Sequence, residues 1–382
     1  MPRLCFAFAT LCVVIFPAHA EPPFGPVPNM VDHVVTMVER SPHSKNEVSV
    51  TITRHGRWVR IDRSESTRST TGYFADEGVI AIRVYNNANQ TEVSSISIQH
   101  GQDSLYEREP IDTGERDTWL GESCVVWEVM RAREPRSPRL RKLSCITGDG
   151  VTLWFRYTSS TSTRPGYEGA RTEATKVERR PVAANDVQPP PTLLNLDWWS
   201  GAEIVPDGTR VAPDHETVMD LGGNTIHAGK VVRTTRHRHP WTFIEEKEGD
   251  ARQLLVVSHA SRQLTLRYST SFPHPGNIRQ LTISRSPPLP PGANTMAPKP
   301  INRSEAILGE TCWLFDMMPG AMDAGQSICR TRDGVVLKEN NSSWGSMTSW
   351  TAVRVQRRPV GLAEITPHSS VLDLAEWMRE ER

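Results

Sequence analysis

Few side chains in this 382-residue chain are spaced for chemistry. Arg54-His55-Gly56 has the order in which a phosphoryl-accepting histidine follows an arginine at a strand end. That chemistry needs distal His and Arg partners, and a related stretch later in the chain reads Arg236-His237-Arg238. A turn between two strands is the simpler reading. His237 and His239, two apart on one strand face, have metal-ligand spacing, with His227 and His259 as further candidates. No carboxylate pattern accompanies them, so no metal ligand is assigned. Glu122 with Asp149, and Glu310 with Asp333, offer carboxylates for acid–base work. Both acids recur at matched positions, which marks geometry, and Asp before Gly favours a turn. Arg179-Arg180 and Arg357-Arg358 offer charge to an acidic headgroup or partner, against the plainer reading of a solvated surface. There is no nucleophile elbow, phosphate-cradling glycine loop or His-Glu-x-x-His. No catalytic residue and no cofactor is assigned, and the chain reads as non-enzymatic.

The elements that carry these residues occur twice. Leu120-Gly121-Glu122-Ser123-Cys124 and Cys145-Ile146-Thr147-Gly148-Asp149-Gly150-Val151 return as Leu308-Gly309-Glu310-Thr311-Cys312 and Cys329-Arg330-Thr331-Arg332-Asp333-Gly334-Val335. Each copy reads as a Cys-bearing strand, a turn region and a returning strand with its partner. In the first strand Val125, Trp127 and Val129 share one face, and Trp313, Phe315 and Met317 repeat that phase, with Cys124 and Cys312 on the other face. Each copy closes on Arg-Arg-Pro-Val, at Arg179–Val182 and Arg357–Val360, followed by a helical turn whose Leu and Trp dock on the sheet. Thr53-Arg54-His55 with Trp58 parallels Thr235-Arg236-His237 with Trp241.

Over 29–39 the spacing of Met30, Val31, Val34, Val35 and Val38 predicts a short helix before Pro42. The organisation expected is a signal peptide over 1–20, a Pro-rich tether over 21–28, a first β domain over 29–199, a linker over 200–213 and a second β domain over 214–382. Arg3, the apolar run from Leu4 to Pro17 and Ala18-His19-Ala20 have the form of a secretory signal cleaved near Ala20. The run is shorter than the ~20 residues a membrane span needs, and no later segment is apolar enough. Cleavage leaves Cys124, Cys145, Cys312 and Cys329, and the repeat selects the pairs Cys124–Cys145 and Cys312–Cys329 from three connectivities. A net charge of 0 argues against nucleic acid as the partner.

The Gly-x-x-Cys strand, the Cys-x-Thr-x-Asp-Gly strand and the closing strand resemble the layout of the outer-membrane lipoprotein-carrier (LolA/LolB-like) superfamily, once per copy. The resemblance implies curved antiparallel sheets, open half-barrels whose concave face is capped by helices and holds an acyl chain. The fold class expected is therefore mainly β (α+β): two tandem curved antiparallel sheets, each with short capping helices and one disulfide hairpin. Val125, Trp127, Phe155, Trp313 and Phe315 are the candidate apolar lining, packing being the alternative role. The function expected is an exported binding protein of the bacterial envelope, periplasmic or secreted, that shelters a lipid or lipoprotein acyl chain. A periplasmic protein–protein interaction or regulatory module without lipid is the second reading.

Overall fold

The computed structural model describes residues 30–40, 47–65, 68–75, 80–86, 93–100, 106–107, 109–132, 140–159, 168–194, 212–224, 230–249, 252–259, 264–271, 278–285, 298–320, 324–343 and 346–378. The expected signal peptide, the tether and most of the expected linker lie outside them. The first copy supplies β1 (His33–Arg40), β2 (Val48–His55), β3 (Trp58–Ser64), β4 (Ser69–Ala75), β5 (Ile80–Asn86), β6 (Val93–His100), β7 (Tyr106–Glu107), β8 (Ile111–Trp119), β9 (Glu122–Ala132), β10 (Leu140–Ile146), β11 (Thr152–Ser159) and β12 (Glu168–Arg179). The second supplies β13 (His215–Asn224), β14 (Val231–Arg238), β15 (Trp241–Glu248), β16 (Arg252–His259), β17 (Leu264–Ser271), β18 (Ile278–Arg285), β19 (Lys299–Ile307), β20 (Glu310–Asp316), β21 (Ala324–Thr331), β22 (Val336–Ser343) and β23 (Ser346–Arg357). Short helices follow the closing strands: α1 (Ala184–Val187) and a 3-10 turn at Pro191–Leu194, then a 3-10 turn at Leu362–Glu364, α2 (Ser369–Leu372) and α3 (Leu374–Met378).

The expected helix over 29–39 is instead β1. Val34 and Val38 fall on one face and Val35 and Met37 on the other, and both faces are in use: Val35 and Met37 are buried while Val34 packs against the central core. A strand buried on both sides has a near-continuous apolar run, which imitates helical spacing.

All 23 strands of the described residues join one antiparallel sheet that is not closed into a barrel. The expectation of two separate sheets is corrected by the seam between β6 and β18, where Ile96 pairs with Ile283 and Ile98 with Leu281. From one edge the order is β8-β9-β10-β11-β12-β1-β2-β3-β4-β5-β6, and across the seam β18-β17-β16-β15-β14-β13-β23-β22-β21-β20-β19. The seam strands alternate Ile or Leu with Ser, Thr or Gln, so one face is apolar and the other polar.

On the apolar face, Val84-Ile96-Ile283-Leu266-Val257-Phe243 forms a cross-strand row that runs through the seam. Val182, Val187, Leu193 and Leu194 from the first closing segment and Val360, Ile365, Val371, Leu374 and Trp377 from the second cover this same core. Ile96, Ile98, Leu281 and Ile283 are fully buried. At roughly 1.5–3 kcal/mol each, an upper bound, they contribute on the order of 6–12 kcal/mol, comparable with a domain's net stability. The two copies therefore share a core that neither completes alone.

Beyond the core each flank folds back. The Trp119 indole in β8 donates to the Ala174 carbonyl in β12 at 2.7 Å. Those strands are four places apart, about 19 Å in a flat sheet. In the second copy Lys338 of β22 reaches Glu305 of β19, three places away, at 2.8 Å. Both outer strands carry register shifts, at Asp112/Arg116 in β8 and Pro300/Ser304 in β19. Such bulges blunt an open edge.

Candidate functional site

The face of β1–β6 opposite the central core is the floor of a cavity of about 500 Å³. Its floor is a grid fixed by strand register. One row reads His33-Arg54-Val59-Phe74-Ala81-Gln99, and the next reads Val35-Ile52-Ile61-Gly72-Arg83. The facing wall comes from Met130 of β9, Lys142 and Ser144 of β10, and Phe155 and Tyr157 of β11. The volume is in the ligand-pocket range, and the lining mixes Val, Ile, Phe and Met side chains with the basic Arg54, Arg63, Arg83 and Lys142, which suits a ligand with an apolar part.

The cavity's charges have distinct fates. Arg63 is neutralised by Glu39 at 2.8 Å. Arg54 is only 4% exposed, and burial lowers its guanidinium to about 10 against the nearby charge of Asp32. Arg83 lies 5.5 Å from the centre of the Phe74 ring. The Phe74 ring lies over Gly72, where an added Cβ would meet it at 2.5 Å, so glycine is needed for that close approach. Lys142 sits 4.5 Å from the Phe155 ring centre and 5.7 Å from that of Tyr157. Such cation–π contacts hold a cation beside apolar surface without neutralising it.

In the second copy the same ladder positions are filled differently. Val50, paired with Met37, corresponds to Arg233, paired with Met219. Counted from the disulfide strands, Lys142, Phe155 and Tyr157 correspond to Gln326, Glu339 and Asn341. Arg233 bonds Glu246 and Glu339, each at 2.7 Å, and lies 4.1 Å from the Trp350 ring centre. Glu339 also accepts from Gln326 at 3.2 Å and Asn341 at 2.8 Å. Burial pushes the Glu339 carboxyl up, but the charge of Arg233 and these hydrogen bonds leave it below its ordinary value. A satisfied polar cluster thus occupies the ground where the first copy has a cavity wall.

No protein-family model matches the chain, and no curated protein matches it. Among solved structures it is similar to MucB in complex with MucA(peri), at 12% identity over 68% of this chain and 89% of that one, with a TM-score of 0.25. It is also similar to PNGF-II in a P21 space group, at 8% identity over 78% and 76% of the two chains, with a TM-score of 0.26.

Of the five lining candidates, Phe155 lines the cavity. Val125 and Trp127 are half-buried outside its lining, Phe315 stacks with Arg330 at 4.6 Å, and Trp313 is 43% exposed over an open depression beside Glu310 and Arg357. The buried phase of these strands is that of Cys124 and Val126, and of Cys312 and Leu314, one residue out from the phase read in the sequence. The disulfides join Cys124 to Cys145 and Cys312 to Cys329. They place sulfur, which packs as an apolar group, on the core side.

The recurring charged residues form a clamp. The Arg179 guanidinium donates to Asp149 and Glu122, each at 2.5 Å, and Arg357 donates to Asp333 and Glu310, each at 2.6 Å. Thr147 and Thr331 hold the same aspartates at 2.5 Å. Gly150 and Gly334, at φ of 88° and 98°, close the turns. Arg180 pairs with Glu178, and Arg358 with Glu216 and Glu364, so these arginines are engaged within the fold.

Arg54-His55-Gly56 turns from β2 into β3, and His55 pairs with Asp32 at 2.8 Å. The sequence match at this hairpin slips by one residue. Trp58 pairs with His55 while Trp241 pairs with Arg238, so Arg54 corresponds to His237. His237 stacks against His215 at 5.3 Å and bonds Thr242, while His259 packs on Trp241. His227 lies outside the described residues, and no cluster of three metal-capable side chains occurs among them. What sequence reading missed was the cavity: Phe74 and Arg83 of its floor and Lys142 of its facing wall gave no motif, only alternation.

Proposed function

We propose that the chain is an exported, non-enzymatic binding protein whose first copy shelters the hydrocarbon chain of a lipid or an acylated protein. Each folded-back flank is read as a half-barrel, in keeping with the lipoprotein-carrier resemblance. The second copy is the scaffold that completes the shared core. The single observation that carries this reading is the exchange of Val50 and Phe155 for Arg233 and Glu339, an apolar wall for an internal ion pair. Burying ten methylenes contributes about 8 kcal/mol before the costs of ordering the ligand, enough for useful affinity. The two disulfides fit an oxidising compartment. No described helix is long and apolar enough to cross a membrane. The interaction-module reading loses support from the bulges on β8 and β19.

Organic extraction of the purified full chain, followed by mass spectrometry, is expected to release an acyl-bearing ligand. Titration with a fluorescent single-chain fatty acid should give one site per chain. Phe155→Glu, which installs the acid of the second copy, should abolish binding without unfolding the protein. No saturable binding, or two equivalent sites, overturns the proposal.

A further inference from the structure

We infer that the ligand of this cavity is an anionic amphiphile, and that Lys142 with Arg83 selects its headgroup. The inference rests on the proposed reading of the cavity as a chain-binding site. Basic residues line it at Arg54, Arg63, Arg83 and Lys142, while no Asp or Glu is among the described residues that do so. Glu39 answers Arg63. Among the described residues no carboxylate lies within ion-pair distance of Arg83 or Lys142, whose neighbours are the rings of Phe74, Phe155 and Tyr157.

A cation held against apolar surface is costly to desolvate unless an anion accompanies it. The second copy supplies that anion itself. There Arg233, at the position of Val50, meets the carboxylate of Glu339, which stands at the position of Phe155. The position of Lys142 is taken by neutral Gln326. One copy carries its counter-charge in its own sequence, and the other leaves that place to a ligand carboxylate or phosphate. Lys142 and Arg83 then act as specificity residues within the same cavity. A charge-assisted hydrogen bond is worth about tenfold in affinity or more.

The test uses the full chain with a fluorescent polyene fatty acid, its methyl ester and a single-chain phosphate monoester of matched length. Inorganic phosphate serves as the chainless competitor. Both anions are expected to bind at least about tenfold more tightly than the ester at physiological salt. Lys142→Gln should weaken the two anions far more than the ester and so remove most of that preference, Lys142→Arg should restore it, and adding Arg83→Gln to Lys142→Gln should erase it. Inorganic phosphate should not compete. Unchanged thermal unfolding of the variants shows that they remain folded. Acid and ester binding equally, or Lys142→Gln weakening both alike, overturns the headgroup inference while leaving chain binding in place. If none of the three probes binds, the cavity reading itself fails.

Discussion

Ile96 lies directly opposite Ile283 across the β6–β18 seam, both fully buried beneath helices contributed by the two closing segments. A residue of one copy is thereby core for the other. Ile283→Ala should destabilise the whole chain by about 2–5 kcal/mol. Denaturant unfolding followed by fluorescence and by far-ultraviolet dichroism should show one shifted transition. Two transitions, with only one of them moved, would falsify the shared core.

The duplicated clamps make a signed pH prediction. Hydrogen bonds from Arg179 and Arg357 hold the carboxyls of Asp149 and Asp333 at about 2, below their ordinary value. A depressed carboxylate stabilises the fold above its unfolded pKa, and that contribution disappears as pH falls from about 4 through about 2. The clamp side chains are about a third exposed, so each effect is small. Arg179→Gln and Arg357→Gln should lower Tm at pH 7, and the deficit should shrink steeply as pH falls from about 4 towards about 2. A deficit of constant size across that range would exclude the ionic account.

Histidine titration acts in a higher window. Burial, with the charges of His215 and His239, lowers His237 to about 4, and burial also lowers His33 and His215. An unfolded chain takes up these protons near pH 6.5 and the fold resists them, so stability falls as pH drops from about 6.5 towards 4. His237→Gln should flatten that limb of the Tm profile more than it changes Tm at pH 8. An unaltered slope would show that His237 does not contribute to it.

Gly72 sets the position of the Phe74 ring. In Gly72→Ala the added methyl meets the ring at 2.5 Å and must displace it from the cavity floor. The ring is the movable end of a side chain, so the cost to stability should be modest, below about 1.5 kcal/mol. Affinity for a fatty-acid probe should fall several-fold. Unchanged affinity would remove Phe74 from the binding surface.

Much of the architecture was legible because the duplication carries its own check. Cys124, Asp149, Gly150 and Arg179 each have a matched partner, and the clamp explains why the Asp and the Arg recur together. Three things were hidden. The β1 stretch is apolar on both faces, so its period was ambiguous. In the Cys hairpins the disulfide, not the Trp, faces the core, so the phase came out one residue off. At the β2–β3 turn the repeated Arg-His pair invited an alignment one step from the true ladder, which reverses the faces. The continuous sheet had no sequence marker, since Ser-Ile alternation in β6 and Thr-Ile alternation in β18 describe any half-buried strand. The cavity was illegible for a related reason. Arg83 and Lys142 are ordinary strand residues until register sets them over Phe74 and beside Phe155.

The seam joins like elements in opposite directions, the arrangement by which two identical subunits would add sheet to sheet about a dyad. Here a single polypeptide holds both partners, so pairing no longer depends on how many molecules are present. An effective concentration fixed by the covalent connection keeps the halves together even when one of them changes. The ion pair of Arg233 and Glu339 in one half therefore leaves the cavity lining of the other half intact.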